Sequence, residues 1–151
     1  MRYLREEEEV NPQDEKDVTA AFEKAAKEME AGVITKDKFT AKSKSVLLHG
    51  HCQQKAVGSL ADSVKVLSFP ENYKVETIAS GCCGMAGSFG YEKEHYEVSM
   101  QMGEDTLFPK IRATDSNVAI AAAGTSCRHQ IFDGTKREAQ HPVTILKSCL
   151  K

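Results

Sequence analysis

Five cysteines and a run of evenly spaced glycines are the residues of this 151-residue chain whose types and spacing promise chemistry. Four of the cysteines stand in short glycine- or histidine-marked segments: His49-Gly50-His51-Cys52, Ser80-Gly81-Cys82-Cys83-Gly84 and Gly124-Thr125-Ser126-Cys127-Arg128-His129. The fifth, Cys149, lies near the C-terminus in a helical pattern and reads as a small packed side chain. In the middle segment Gly81, Gly84, Gly87 and Gly90 recur every third residue. Glycine admits positive φ and lets backbone approach a bound group closely.

Adjacent Cys82 and Cys83 have Cα atoms about 3.8 Å apart, below the separation a relaxed disulfide needs. A structural disulfide between them is therefore not expected. Their side chains reach one site only where the backbone leaves strand geometry, which the flanking glycines permit. A single zinc ion asks for tetrahedral ligands around one centre, whereas an iron-sulfur cluster spreads its metals and accommodates neighbouring thiols more readily. Cys52, Cys82, Cys83 and Cys127 are thus candidate ligands of a cluster, with zinc as the alternative.

Other chemistries fit less well. The glycine loop lacks the Lys-Ser/Thr pair of a phosphate-binding loop and the GxGxxG frame of a dinucleotide fold. Cys127 at a helix start with His129 nearby suits a nucleophilic thiol, and thiol-disulfide chemistry is a third reading. His49, His51 and His129 flank the cysteines as spare ligands or hydrogen-bond donors, with His51, next to Cys52, the best placed. His95 is open as a partner to the glycine loop, and His141 precedes Pro142 at a turn. Arg128 either sets positive charge near the site or forms a surface ion pair. Met85, Met100 and Met102 read as packing residues.

These segments must be positioned by the elements before them. From Ser45 onward short β-branched or aliphatic runs alternate with helical patterns: strands at 46–48, 75–79 and 118–122, and helices at 53–67, 91–111, 126–133 and 144–150. The order predicts an α/β fold, a small parallel sheet flanked by helices, with the cysteine-bearing loops at the carboxyl ends of the strands. Residues 14–31 place Val18, Phe22, Ala25 and Met29 at helical spacing, with Asp14 to cap and Gly32 to terminate. The expected division is an N-terminal helix and linker over 1–45 and a cysteine-rich domain over 46–151; the Glu6–Glu9 run reads as a solvated stretch.

The segments HGHCQQKA, SGCCGMAGSFGYEKEHYEVSM and AAGTSCRHQIFDGT resemble the cysteine-rich CCG domain found in heterodisulfide reductase and in the iron-sulfur subunits of glycolate, lactate and glycerol-3-phosphate oxidising enzymes. The likeness runs from about Val46 to Leu150 and is strongest toward the C-terminal iron-sulfur region of FAD-linked oxidases. It implies an electron-transfer module that is not catalytic alone, a fragment or subunit of a larger enzyme oxidising a 2-hydroxy acid or similar compound. The implied metal ligands are Cys52, Cys82, Cys83 and Cys127, with Gly81, Gly84 and Gly87 shaping the loop around the cofactor. The final Cys-x-x-Cys of that pattern has Gly124 in its first position, leaving four thiols, enough for one [4Fe-4S] cluster. FAD is expected on a partner domain or subunit.

Composition narrows the partners. A net charge of −2, with the 20 basic residues scattered, lacks the footprint of a nucleic-acid binder. No apolar run approaches the roughly 18 residues of a membrane span, so membrane association is expected only through the complex. The N-terminus has no apolar segment after its charges, which predicts a cytoplasmic location.

Overall fold

The computed structural model describes residues 12–151. The glutamate run at 6–9 lies outside them. Four strands, β1 (Lys44–His49), β2 (Tyr73–Thr77), β3 (Ala119–Ala122) and β4 (Ala139–Gln140), form one sheet in the order β2-β1-β3-β4 with every pairing parallel. This is the α/β architecture the alternating pattern predicts. The helices among the described residues are α1 (Pro12–Glu30), α2 (Cys52–Val57), α3 (Leu60–Leu67), α4 (Tyr96–Asp105), α5 (Leu107–Arg112), α6 (Thr125–Thr135) and α7 (Pro142–Lys147).

Period-two alternation along β1 divides the core into two layers. Val46 and Leu48 face one layer with Phe22, Ala26 and Met29 of α1, Val66 and Leu67 of α3, and Ile145 of α7. Leu47 faces the other, with Ile120 and Ala122 of β3, Leu107, Phe108 and Ile111 of α5, and Ile131 of α6. His49, two residues past Leu47 and paired with Ala122, falls on this second side. That parity is what aims an imidazole at the cysteines.

Several boundaries differ from the pattern-based reading for identifiable reasons. The helix expected over 53–67 is two, because Gly58 ends α2 and the Ser59 hydroxyl caps α3 by accepting from the amide of Ala61. The helix expected over 91–111 begins as two 3-10 turns, at Phe89–Tyr91 and Lys93–His95. It then breaks at Thr106, where Pro109 has no N–H to give the carbonyl of Asp105. The second strand starts and ends two residues earlier than expected. Strand β4 is an element the sequence pattern does not mark, two residues being too few for periodicity to register. Helix α7 starts at Pro142 rather than 144, since His141 caps it by accepting from the Val143 amide. Asp14, expected as a cap, lies inside α1, while Gly32 does close that helix at φ +72, with the Val33 amide reaching back to the Glu28 carbonyl.

The chain leaves β1 toward β2 on one side and returns to β3 on the other. The sheet therefore reverses its winding between β1 and β3, and a crevice opens beyond their carboxyl ends.

Candidate metal centre

Each cysteine segment leaves the carboxyl end of a strand. After β1, Gly50 and His51 turn the chain so that Cys52 opens α2, with His51 at its N-cap. After β2, residues 78–88 form a loop, not a strand. After β3, Gly124 is the N-cap of α6 and Cys127 lies in its first turn. The three segments meet at the β1/β3 crevice.

The loop after β2 turns on Gly84, at φ +98, and Gly87, at φ +71, with Ala86 also at positive φ. A side chain at Gly84 would run into the Ser99 carbonyl oxygen of α4, so this glycine permits close packing as well as the turn. Gly81 and Gly87 open into free space. The departure from strand geometry lets Cys83 point inward, 2% exposed, while Cys82 stays half-buried and accepts from the Gly84 amide through sulfur at 3.3 Å. The Gln130 amide of α6, fully buried, donates to the carbonyls of Cys83 and Ser99 and to the Ser99 hydroxyl, at 2.9, 2.9 and 3.0 Å. The loop is thereby tied to α4 and α6 at once. From the other side Lys55 Nζ donates to the Ser80 carbonyl at 2.8 Å.

Cys83 and Cys127 face each other with their Sγ atoms 3.3 Å apart. The hydrogen bond between the two sulfurs holds the Cys83 thiol well below its ordinary range against the opposing effect of burial, and the nearby His49 ring adds to the lowering. The same contact, then burial, pushes Cys127 above its ordinary range, and the charges of Cys83, Cys52 and Cys82 add to the rise. Burial, followed by contact with Cys82, raises Cys52. One ring nitrogen of His49 and the sulfurs of Cys83 and Cys127 all lie within 4.8 Å of one another, and all three residues are buried. The imidazole Nδ1 is 3.0 Å from the Ser80 hydroxyl, and buried Nε2 has no hydrogen-bond partner among the described residues. Three inner donors thus stand together, with Cys52 and Cys82 at the rim.

Such a set fits a metal centre. Thiols and an imidazole are soft-to-borderline ligands, and an orphaned buried nitrogen beside two sulfurs is a donor in want of an acceptor. A cavity of about 200 Å³, lined by Ser80, Gly81, Cys82, Met102, Asp105, Thr106 and Leu107, opens beside the rim.

The remaining candidates take other places. Cys149 is buried among the α1–α3–α7 side chains, where its thiol donates to the Leu146 carbonyl. His129 Nδ1 lies 2.7 Å from the Tyr91 hydroxyl. His95 stacks on Phe89 of the glycine loop at 4.1 Å, with its Nδ1 2.7 Å from the Glu92 carboxylate. Arg128 donates to the carbonyls of Ala122 and Ala123 and to the Thr125 hydroxyl, which fixes its charge at the end of β3. Met85 is fully buried, but Met102, expected in packing, is 40% exposed on α4. A Cβ at Gly124 would lie 2.7 Å from His51 Cδ2 and 3.2 Å from Cys127 Sγ, so the position lacking a cysteine borders the same site. Sequence reasoning misses Gln130, which only its burial reveals. It leaves His49 as one spare ligand among three; the alternation of Leu47, Leu48 and His49 is the signal that separates it.

No protein-family model matches the chain, and no solved structure matches it. Among curated proteins it is similar to dehydrogenases. It is 29% identical over 105 residues to one subunit of the anaerobic glycerol-3-phosphate dehydrogenase of Escherichia coli, covering 70% of this chain and 26% of the relative. It is 36% identical over 73 residues to D-2-hydroxyglutarate dehydrogenase of Pseudomonas putida, covering 48% of this chain and 7% of the relative. The Escherichia coli D-2-hydroxyglutarate dehydrogenase is 29% identical over 113 residues, 74% of this chain and 11% of the relative. The chain thus spans about a quarter of the first relative's length and about a tenth or less of the others'. No helix among the described residues is long and apolar enough to cross a membrane.

Proposed function

We propose that this chain is the iron-sulfur electron-transfer module of a flavin-linked oxidoreductase that oxidises a 2-hydroxy acid or a similar compound. Residues 46–151 act as a cysteine-rich domain of the CCG type, and residues 1–45 as its N-terminal helix and linker. The observation that carries the proposal is the convergence of four thiols from three strand ends on one crevice, in a chain similar to parts of dehydrogenases. Cys52, Cys82, Cys83 and Cys127 are the ligands, and the turn through Gly81, Gly84 and Gly87 wraps backbone around the centre. When bound, a [4Fe-4S] cluster supplies one-electron redox chemistry. The chain's own contribution is to hold the thiols. Gln130 and Lys55 clamp the loop from two sides, and the core excludes water from Cys83 and Cys127. The proton between Cys127 and Cys83 would have to leave for both sulfurs to serve as thiolate ligands. The electron donor is FAD on a partner domain or subunit of a cytoplasmic complex, and any contact with a membrane is made by that complex.

A second reading has an observation of its own. The tight grouping of His49, Cys83 and Cys127 suits a single tetrahedral ion, so a zinc-binding structural or interaction domain uses the same residues. Anaerobic purification with a visible spectrum and iron, sulfide and zinc contents separates the two. Brown protein with matching iron and sulfide, bleached by dithionite, is the expected result. Colourless protein with one zinc favours the second reading, because d¹⁰ zinc has no such colour. Failure to take up iron, sulfide or zinc after reconstitution overturns both.

A further inference from the structure

The donors outside the four cysteines divide sharply. His51 is half-buried at the mouth of α2, and His129 already meets the Tyr91 hydroxyl. His49 is different: it is 0% exposed, and its Nε2 has no hydrogen-bond partner among the described residues. A polar atom left unsatisfied in a core forfeits the hydrogen bonds water gave it, a cost of about 1–3 kcal/mol, and such atoms are rare in folded proteins. A nitrogen of the same ring lies within 4.8 Å of the two buried sulfurs of Cys83 and Cys127.

We propose that the imidazole of His49 binds the metal centre directly through Nε2, alongside Cys83 and Cys127, so that the centre has a mixed nitrogen and sulfur ligand set. The inference rests on the metal reading of the site and exchanges one thiolate of the proposed four for an imidazole. Ser80 completes the arrangement. With Nδ1–H donating to the Ser80 hydroxyl at 3.0 Å, the proton is fixed on Nδ1 and the lone pair on Nε2 is free for the metal. Metal-binding histidines commonly have their second nitrogen held in this way by an oxygen acceptor. Strand β1 supplies the aim, because its pairing with β3 sets His49 against Ala122 on the side of the sheet where Cys83 and Cys127 lie. A neutral imidazole in place of a thiolate leaves the centre one negative charge poorer, which raises its reduction potential. The competing arrangement places the proton on Nε2, which then donates to a sulfur while the metal keeps only thiolate ligands.

X-ray absorption on the full chain, reconstituted with ferrous iron and sulfide under argon, distinguishes them. The expected result is an imidazole scattering pattern at the iron edge. In His49→Cys that pattern is lost, the average sulfur count per iron rises, iron content is retained and the midpoint potential falls. If zinc is the metal found in the protein, the zinc edge gives the same readout. Should the variant fail to fold, pulsed EPR of the reduced wild-type protein carries the test, since ¹⁵N-histidine labelling must replace a strongly coupled ¹⁴N signal. An all-sulfur shell in metal-loaded wild-type protein overturns the His49 assignment and leaves the metal reading standing. Imidazole scattering unchanged in His49→Cys also overturns it, pointing instead to His51. Wild-type protein that takes up no metal overturns the metal reading, and this assignment with it.

Discussion

A carbonyl oxygen determines residue 84. The Ser99 oxygen lies 2.2 Å from where a Cβ would be, and φ is +98, so Gly84→Ala meets both a clash and a backbone penalty. Backbone strain of this kind costs about 1–3 kcal/mol before any clash. Gly84→Ala is expected to lose at least about 3 kcal/mol in urea unfolding, whereas Gly81→Ala, in open space, should lose about 1 kcal/mol or less. Equal losses would refute the packing role. His141 gives a pH signature. Burial, and then the charge of Arg128, holds its pKa below 6.5, and its neutral Nδ1 accepts from Val143. The unfolded chain therefore takes up this proton first, so the stability it contributes is present above about pH 6.5 and is lost as the pH falls below it. The wild-type protein should lose stability more steeply than His141→Asn between about pH 7 and 5, and parallel curves would exclude the effect. At this scale the cysteines are legible from their types and spacing. Gln130 is not, because a glutamine that clamps a loop differs from a solvated one only in its surroundings.

The elements that carry the site are short, and their ends matter more than their lengths. Ser59 caps α3 immediately after Gly58 ends α2, so Ser59→Ala should cost about 1 kcal/mol in chemical unfolding. A loss near zero would mean that core packing alone sets that boundary. On the other layer the Phe108 ring of α5 is wedged against Gly103 of α4 and Gly134 of α6, each of which has no room for a Cβ beside the ring. Phe108→Ala leaves a cavity at the junction of three helices and should cost about 3–5 kcal/mol. Its partners at the junction include Ile131 and Cys127 of the same apolar cluster, so metal uptake should weaken along with stability. Strand and helix types are readable because 3.6- and 2-residue periods differ. The breaks at Gly58 and Thr106 escape such a reading because apolar periodicity continues through them, although Gly58, Ser59 and Pro109 carry the local signal.

For the whole molecule, the winding of the sheet decides where chemistry gathers. The reversal between β1 and β3 brings the segments at 49–52 and 124–129 side by side, and the loop after β2 reaches them because β2 adjoins β1. Metal that binds the folded chain alone stabilises it by about 2.7 kcal/mol at a hundredfold excess over Kd, so removal by a chelator should lower Tm by roughly 5–10 °C. An unchanged Tm in metal-loaded protein would mean that the centre binds folded and unfolded chain alike. The α/β class follows from the order of elements, and the crevice follows once the strands are taken as parallel. The strand order itself is beyond the sequence, since adjacency is a property of pairing across distant segments. The alternation in β1 also makes the reading frame of a strand part of the site. Inserting one residue before Leu48 while keeping the pairing would turn the His49 imidazole to the side of α1, α3 and α7 and present Leu48 to the cysteines. A frame error of one residue would thus exchange a ligand for a hydrocarbon, with all four thiols still encoded.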